Sequence, residues 1–104
     1  MSVIAVNKEN FDAVTANGTV LLDFYADWCG PCRLVSPLVD EIANERSDIL
    51  VCKINVDDDP SLAEQFEVFS IPTLVIMKDG NVVEQSAGAR PKASILAMID
   101  AHIS

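Results

Sequence analysis

The spacing of apolar residues along the chain changes repeatedly between that of strands and that of helices. Runs of β-branched, aromatic and aliphatic residues predict strands at positions 3–6, 19–26, 49–56, 73–78 and 81–86. Helical spacing predicts helices at 31–45, 61–66 and 92–102. Asn7 is a candidate cap for a further helix that ends near positions 17–18.

The order of these elements predicts an α/β fold. Strands and helices alternate at first, and Asp79-Gly80 then separates two strands in the manner of a tight hairpin. This order implies a mixed sheet covered by helices on both faces. A chain of 104 residues without repeat or linker is expected to form one domain over residues 1–104. The predicted buried stripe of its longest helix is Leu34, Leu38, Val39, Ile42 and Ala43.

The charge of the chain argues against some classes of partner. The sequence has 7 basic and 16 acidic residues, a formal net charge of -9 at pH 7. Such a surface repels phosphates and anionic lipids, so neither nucleic acid nor a membrane is an expected partner. No apolar run reaches the about 20 residues of a membrane-spanning helix, and no export signal is visible. The expected location is the cytoplasm, where a close cysteine pair is more often catalytic or metal-binding than structural.

Cys29 and Cys32 are the residues with the clearest chemistry. They lie where a predicted strand gives way to a predicted helix, and residues three apart on a helical turn are close enough to form a disulfide. Pro31 suits the first helical turn, and Gly30 leaves the loop uncrowded. Cys29 lies at the helix start, where unpaired N–H groups favour a thiolate, whereas Cys32 is expected to be more shielded. These positions predict that Cys29 attacks a substrate disulfide and that Cys32 resolves the mixed disulfide.

A structural disulfide, half of a zinc site and a chance spacing are the alternatives for this pair. Zinc needs four ligands, but the sequence has no second Cys-x-x-Cys, and its single histidine, His102, lies at the far end of the chain. The α/β pattern and the complete segment Trp28-Cys29-Gly30-Pro31-Cys32 favour redox chemistry that requires neither a metal nor an organic cofactor.

Asp23, Lys53 and Cys52 lie inside predicted buried strands. A buried carboxylate is costly unless it is paired or protonated, so Asp23 is either a buried functional group or an edge residue that faces solvent. Lys53 either approaches Asp23 and tunes its ionisation or extends its stem to water. Cys52 has the spacing of a buried core residue, with a regulatory thiol as the alternative.

The sequence as a whole resembles the thioredoxin family. The resemblance runs nearly from end to end and is carried by the segment from Asp23 to Cys32, by Pro37, Lys53-Ile54-Asn55-Val56-Asp57, Ile71-Pro72-Thr73, Asp79-Gly80 and Gly88. It implies a three-layer α/β/α sandwich with a mixed central sheet of about five strands and about four helices. It also implies a dithiol electron carrier that reduces disulfides in client proteins by reversible formation of a Cys29–Cys32 disulfide.

The resemblance also implies roles for residues around the pair. It implies that Asp23 lies beneath the cysteines and deprotonates Cys32 through water, and that Lys53 lies close to Asp23. The dipeptide Gly30-Pro31 is typical of the reducing members of the family. A histidine in its place would favour the thiolate and make the couple more oxidising.

Client binding and partners are implied in the same way. The segment Ile71-Pro72-Thr73 matches a cis-proline loop that faces the active cysteines and pairs with an extended substrate. The residues implied in docking are Trp28, Ile71, Pro72, Gly88 and Ala89. The implied partners are disulfide-containing client proteins and a thioredoxin reductase linked to NADPH or ferredoxin, and the carrier is expected to be a monomer. The alternatives are a binding module in which redox chemistry is incidental, and an oxidase or isomerase.

Overall fold

The computed structural model describes residues 2–103, and all of the predicted elements are present in it. They are β1 (Ile4–Ala5), α1 (Phe11–Thr15), β2 (Thr19–Tyr25), α2 (Gly30–Glu45), β3 (Leu50–Asn55), α3 (Pro60–Gln65), β4 (Thr73–Lys78), β5 (Asn81–Ala87) and α4 (Lys92–Asp100). The ends differ from the predicted ones by a few residues. Helix α2 begins at Gly30 because Cys29 is its N-cap and Pro31 occupies its first turn.

β2 lies at the centre of the sheet, whose strand order is β1-β3-β2-β4-β5. β2 is parallel to β3 and antiparallel to β4, and β5 is antiparallel to β4. Because β4 runs against β2, it begins at the edge where β2 ends, with Phe24 in register with Thr73. Thr73 is also in register with Ala87, so β5 ends at this edge too. One edge of the sheet therefore brings together the chain after β2, before β4 and after β5.

Helices cover both faces of the sheet. One core cluster joins α1 and α3 to the sheet and includes Phe11, Leu22, Phe24, Cys52, Leu62 and Phe66. A second cluster joins α2 and α4 to the other face and includes Leu21, Val39, Ile42, Leu74, Ile95 and Ile99. Because side chains alternate along a strand, Asp23 lies on the face that packs against α2 and α4. Among residues 2–103 this is the predicted three-layer sandwich, with a five-stranded mixed sheet and four helices.

The predicted buried stripe of α2 is wrong at one position. Leu34 is 72% exposed, and Leu38 is only partly buried. The buried side chains of this helix are Cys32, Val35, Val39, Ile42 and Ala43. These positions recur every three or four residues, and Leu34 lies about 100° around the helix from Val35. Leu34 therefore projects to solvent, which leaves an apolar side chain exposed near the start of α2.

The candidate active site

The chain that leaves the centre of the sheet after β2 places Cys29 at the start of α2. Cys29 has an extended backbone, and its Sγ accepts a hydrogen bond from the backbone N–H of Cys32 at 3.2 Å. The two cysteines form a disulfide, with their Cα atoms 5.3 Å apart. This N–H is one of those at a helix start that have no partner within the helix. After reduction it can stabilise a negative charge on the same sulfur.

Burial does not distinguish the two sulfurs. Cys29 is 4% exposed and Cys32 is 3% exposed, so the two residues of the oxidised pair are almost equally buried. The Cys29 sulfur lies against the loop before β4, 3.7 Å from the carbonyl oxygen of Ile71. The surroundings differ instead. Cys29 lines an open cavity together with Trp28, whereas Cys32 lines a smaller cleft together with Ser36.

The loop before β4 meets the cysteine pair at this edge of the sheet. The bond between Ile71 and Pro72 is cis, as the resemblance implies. The backbone N–H of Gly88 donates to the carbonyl oxygen of Pro72 at 2.8 Å. Gly88 has φ +96°, a conformation that favours glycine, and the exposed Ala89 follows it. The ends of three strands thus bring Cys29, the Ile71-Pro72 bond and Gly88 to one edge of the sheet.

The cavity beside Cys29 has a volume of about 410 Å³. Its lining contains the predicted residues Trp28, Cys29, Gly30, Pro31 and Ile71, and also Val56, Val68, Phe69 and Ser70. The indole Nε1 of Trp28 donates to the carboxylate of Asp57 at 2.8 Å, which fixes one wall. The second group of lining residues was missed by the sequence analysis. One signal for it was available, since Phe69 is a large apolar residue in a loop two positions before Ile71.

Asp23 is buried rather than exposed at a strand edge. It is 1% exposed, and its neighbour in register on β3 is Lys53. Among the described residues neither carboxylate oxygen has a hydrogen-bond partner. Burial raises the pKa of Asp23 to about 6; the charge of Lys53 opposes this rise, and the charge of Asp40 adds to it. Asp23 is therefore a carboxyl group that titrates close to neutral pH.

Lys53 approaches α2 as well as the strand that carries Asp23. Its Nζ donates a hydrogen bond to Ser36 Oγ and forms an ion pair with Asp40 at 3.1 Å. The same nitrogen lies 5.9 Å from the centre of the Tyr25 ring, within the range of a cation–π contact. These contacts account for the lysine inside a buried strand, and its charge still lowers the pKa of Asp23. Sequence reasoning did not identify Ser36 or Asp40 as partners of Lys53.

Cys52 is a core residue, as its spacing predicts. It is fully buried in the cluster that joins α1 and α3 to the sheet. Burial raises the pKa of its thiol to about 12. A thiol with this pKa is almost entirely protonated at neutral pH and is a poor nucleophile.

Two further features bear on the class of protein. Among residues 2–103, no cluster of three or more His, Cys, Asp or Glu side chains could hold a metal ion. Within the same range, no helix has the length and apolar character needed to cross a bilayer.

Comparison with known proteins decides the family. The family model described as Thioredoxin matches residues 2–101. The chain belongs to the thioredoxin family. A thioredoxin of Chlamydia caviae is 44% identical over 100 residues, which cover 96% of this chain and 98% of that protein. A thioredoxin of Bacillus subtilis is 40% identical over 104 residues, covering 99% of this chain and 100% of that protein.

A solved structure extends the likeness to the fold. A mutant thioredoxin from Halobacterium salinarum matches with a TM-score of 0.93 and 38% identity, covering 99% of this chain and 92% of that one. This thioredoxin-family chain, in which Cys29 and Cys32 form a disulfide, is a dithiol electron carrier and a protein-disulfide reductase. Its partners are in general disulfide substrates and a reductase.

Proposed function

We propose that Cys29 is the attacking nucleophile and Cys32 the resolving nucleophile of this reductase. In the reduced protein the Cys29 thiolate attacks one sulfur of a client disulfide. The client S–S bond breaks, the other client sulfur leaves as a thiolate that takes a proton, and a mixed disulfide forms between Cys29 and the attacked sulfur. The Cys32 thiolate then attacks the Cys29 sulfur, forms the internal disulfide and releases the attacked client sulfur as a second thiolate, which also takes a proton. The observation that carries this order is the hydrogen bond from the Cys32 N–H to the Cys29 sulfur.

We propose that Asp23 accepts the proton of Cys32 during resolution. A pKa of about 6 lets a carboxylate be ionised at neutral pH yet remain basic enough to take a proton. The cleft beside Cys32 has a volume of about 170 Å³ and is lined by Tyr25 and Ala26, which follow Asp23 closely in the chain. A cleft of this size has room for water, which supports proton transfer through water. Lys53 tunes this step through its effect on the pKa of Asp23.

Client binding is assigned to the residues at the same edge of the sheet. Trp28, Ile71 and Pro72 receive the client segment, together with Gly88 and Ala89. The positions of Trp28 and Ile71 beside Cys29, and the hydrogen bond that ties Gly88 to Pro72, support this assignment, because a client sulfur must reach the Cys29 sulfur. Gly30 and Pro31 tune the couple toward reduction, since neither places a charged side chain between the cysteines to favour the thiolate.

We also propose that the chain is a cytoplasmic monomer that forms one domain over residues 1–104. Its electron donor is a thioredoxin reductase linked to NADPH or ferredoxin, its clients are disulfide-containing proteins, and neither nucleic acid nor a membrane is a partner. The net charge of -9 supports the last two exclusions.

Trapping of mixed disulfides tests the order of attack. The Cys32→Ser variant is expected to accumulate disulfide-linked client complexes that reductant releases, because the first attack proceeds and the second cannot. The Cys29→Ser variant is expected to trap none. Equal trapping by the two variants, or trapping by Cys29→Ser alone, would overturn the assignment.

Reduction of insulin disulfides with varied electron supply tests the whole cycle. The protein is expected to turn over with NADPH and an NADPH-linked thioredoxin reductase, or with reduced ferredoxin and a ferredoxin-linked thioredoxin reductase. The variant in which serine replaces both Cys29 and Cys32 is expected to turn over with neither supply. Turnover by the double serine variant would contradict the proposal. A reduction potential too oxidising for insulin reduction would instead favour an oxidase or isomerase.

A further inference from the structure

Phe69 is the most exposed large apolar side chain among the described residues. It is 91% exposed and lies in the loop between α3 and β4. Phe69 lines the cavity beside Cys29, and so does Trp28, another large apolar side chain, which is 68% exposed. Single exposed apolar residues are ordinary, but two aromatic rings lining one cavity form a patch of the kind that binds a partner.

The cavity has the form of a side-chain subsite. Phe69 and Trp28 contribute aromatic rings, and Val56, Val68 and Ile71 contribute aliphatic side chains. Cys29 also lines the cavity, so a side chain that enters it must belong to a residue close to the client cysteine. The volume of about 410 Å³ has room for a large aliphatic or aromatic side chain. Burial of such a side chain against two rings is favourable for both surfaces.

Acidic residues stand next to lining residues of this apolar cavity in the sequence, and one of them, Asp57, is bonded to its wall. Asp57, whose carboxylate holds the Trp28 indole, and Asp58 are exposed beyond Val56. Glu67 is exposed directly before Val68. The nearby basic residue Arg33 donates to the carbonyl oxygen of Asp27 at 2.9 Å and lines the cleft of Cys32 instead. The charge around the cavity therefore complements a basic side chain and repels an acidic one.

We propose that Phe69 is a specificity-determining residue of a client subsite. The subsite accepts an extended client segment that carries a large apolar side chain close to its cysteine and a basic side chain next to that residue. This inference rests on the proposed function, in which the client sulfur meets Cys29. Phe69 takes no part in the exchange of electrons and acts only on which disulfides are reduced.

The test uses four peptides, each with one disulfide to a small thiol. They differ at two positions beside the cysteine, with Leu or Ser at the first and Lys or Glu at the second. The wild-type protein is expected to reduce the Leu-Lys peptide with a kcat/KM about tenfold above that of the Ser-Lys peptide. In Phe69→Ser this Leu-to-Ser ratio is expected to fall close to one, whereas Phe69→Leu is expected to keep most of it.

Two controls isolate the subsite. Val82 is exposed on β5 and lines a different cavity with Gly80, at the hairpin end of the sheet, so Val82→Ser is expected to leave the ratio unchanged. Hydroxyethyl disulfide has no large apolar side chain to place in the cavity, so its rate is expected to be equal in the wild type and Phe69→Ser. Thermal unfolding of each variant checks that an exposed residue was replaced without loss of the fold.

The charge around the cavity is tested with the same peptides. Asp57→Asn keeps an oxygen for the Trp28 indole but removes the charge, so it is expected to reduce the preference for Lys over Glu about twofold to fivefold. High salt is expected to have the same effect in the wild type.

The outcomes separate this inference from the proposed function. If hydroxyethyl disulfide is reduced but Phe69→Ser keeps the Leu-to-Ser ratio, the subsite is wrong and the mechanism stands. If the wild type shows no preference for Lys, the basic position of the client is wrong. If reduction of hydroxyethyl disulfide survives replacement of both Cys29 and Cys32, the proposed function fails first.

Discussion

The cysteine pair and Cys52 are equally hidden from solvent but differ in chemistry. Cys29, Cys32 and Cys52 are 4%, 3% and 0% exposed. Cys29 receives an N–H at the start of α2 and lines an open cavity. Cys52 lies on β3 among the aliphatic and aromatic side chains that join α1 and α3 to the sheet, and burial raises its pKa to about 12. Exposure alone therefore does not identify a reactive thiol.

The comparison shows which part of the environment matters. At the cysteine pair, a low exposed fraction coexists with a hydrogen-bond donor, two adjoining cavities and a titratable carboxyl group on the same face of the sheet. At Cys52 the same low exposure comes with apolar contacts, and Cys52 lies on the other face from Asp23. Polar groups that stabilise charge, together with cavities that admit a reagent, rather than the exposed fraction of the residue, make one region reactive and the other inert.

Replacement of single cysteines gives the largest expected difference between the two regions. Cys29→Ser is expected to lower the rate of insulin reduction by at least about 10³-fold, because the variant has no attacking thiolate. Cys52→Ala is expected to keep the wild-type rate while it lowers the free energy of unfolding by about 1–2 kcal/mol through loss of core packing. Initial rates and urea unfolding measure both. A Cys52→Ala protein that folds but does not turn over would show that Cys52 takes part in the cycle.

Alkylation of the reduced protein gives the next largest difference. At neutral pH about one part in 10⁵ of a thiol with pKa about 12 is ionised, and the core also blocks the reagent, so native Cys52 is expected to be almost unreactive. Cys29 is expected to react with iodoacetamide at least about 100-fold faster. Mass spectrometry of digested samples gives each rate, and denatured protein is the control in which the Cys52 rate rises. Comparable rates in the folded protein would contradict the comparison.

Removal of the buried carboxyl group is expected to stabilise the protein at neutral pH. The pKa of Asp23 is raised from 3.8 in the unfolded chain to about 6 in the fold. The stability that the protonated form contributes is present below about pH 4 and is lost as the pH rises through about 6, a difference of about 3 kcal/mol. The Asp23→Ala variant has no such loss. Its free energy of unfolding is therefore expected to exceed that of the wild type at about pH 8, and this gain is expected to disappear at about pH 4.

Urea unfolding of the oxidised proteins at both pH values tests this effect. The exposed Asp58→Ala variant is the matched control and is expected to show no pH-dependent gain. An Asp23→Ala gain of equal size at both pH values would mean that the ionisation of Asp23 is not its source.

Much of the fold and the reactive pair was predictable because each has a local signal in the sequence. The Asp79-Gly80 hairpin, the alternation of strands and helices and the Cys29–Cys32 spacing depend on near neighbours, and the structure has all three. Leu34 was misplaced because several registers of an apolar stripe fit one helix until the sheet selects a face. Phe69 and Val68 were missed because their place in the cavity beside Cys29 depends on the antiparallel direction of β4, which brings a distant loop to the end of β2.

The partners of Lys53 could not be predicted for the same reason. The position of Lys53 beside Asp23 follows from strand pairing, but its contacts with Ser36 and Asp40 depend on how α2 lies across the sheet. No local pattern in the sequence encodes that packing. The charges that act on Asp23 therefore come from two elements, of which the sequence analysis identified one.

Replacement of Lys53 or Asp40 gives the smallest expected effect and tests most directly what sets the pKa of Asp23. The charge of Lys53 lowers the pKa of Asp23, and the charge of Asp40 raises it. Lys53→Met is therefore expected to raise this pKa above about 6, and Asp40→Asn to lower it, each by about one unit or less. The carboxyl ¹³C shift of Asp23, followed with pH in the oxidised protein, reports the pKa without the cysteine ionisations.

The opposite directions of these two shifts separate electrostatics from structural damage. Loss of the ion pair between Lys53 and Asp40 is common to both variants, so any loosening of α2 would move the pKa of Asp23 the same way in each. Shifts of opposite sign can arise only if each charge acts on the carboxyl group by itself. Shifts of the same sign would mean that the ion pair acts mainly by holding α2 over Asp23, and that burial alone sets its pKa.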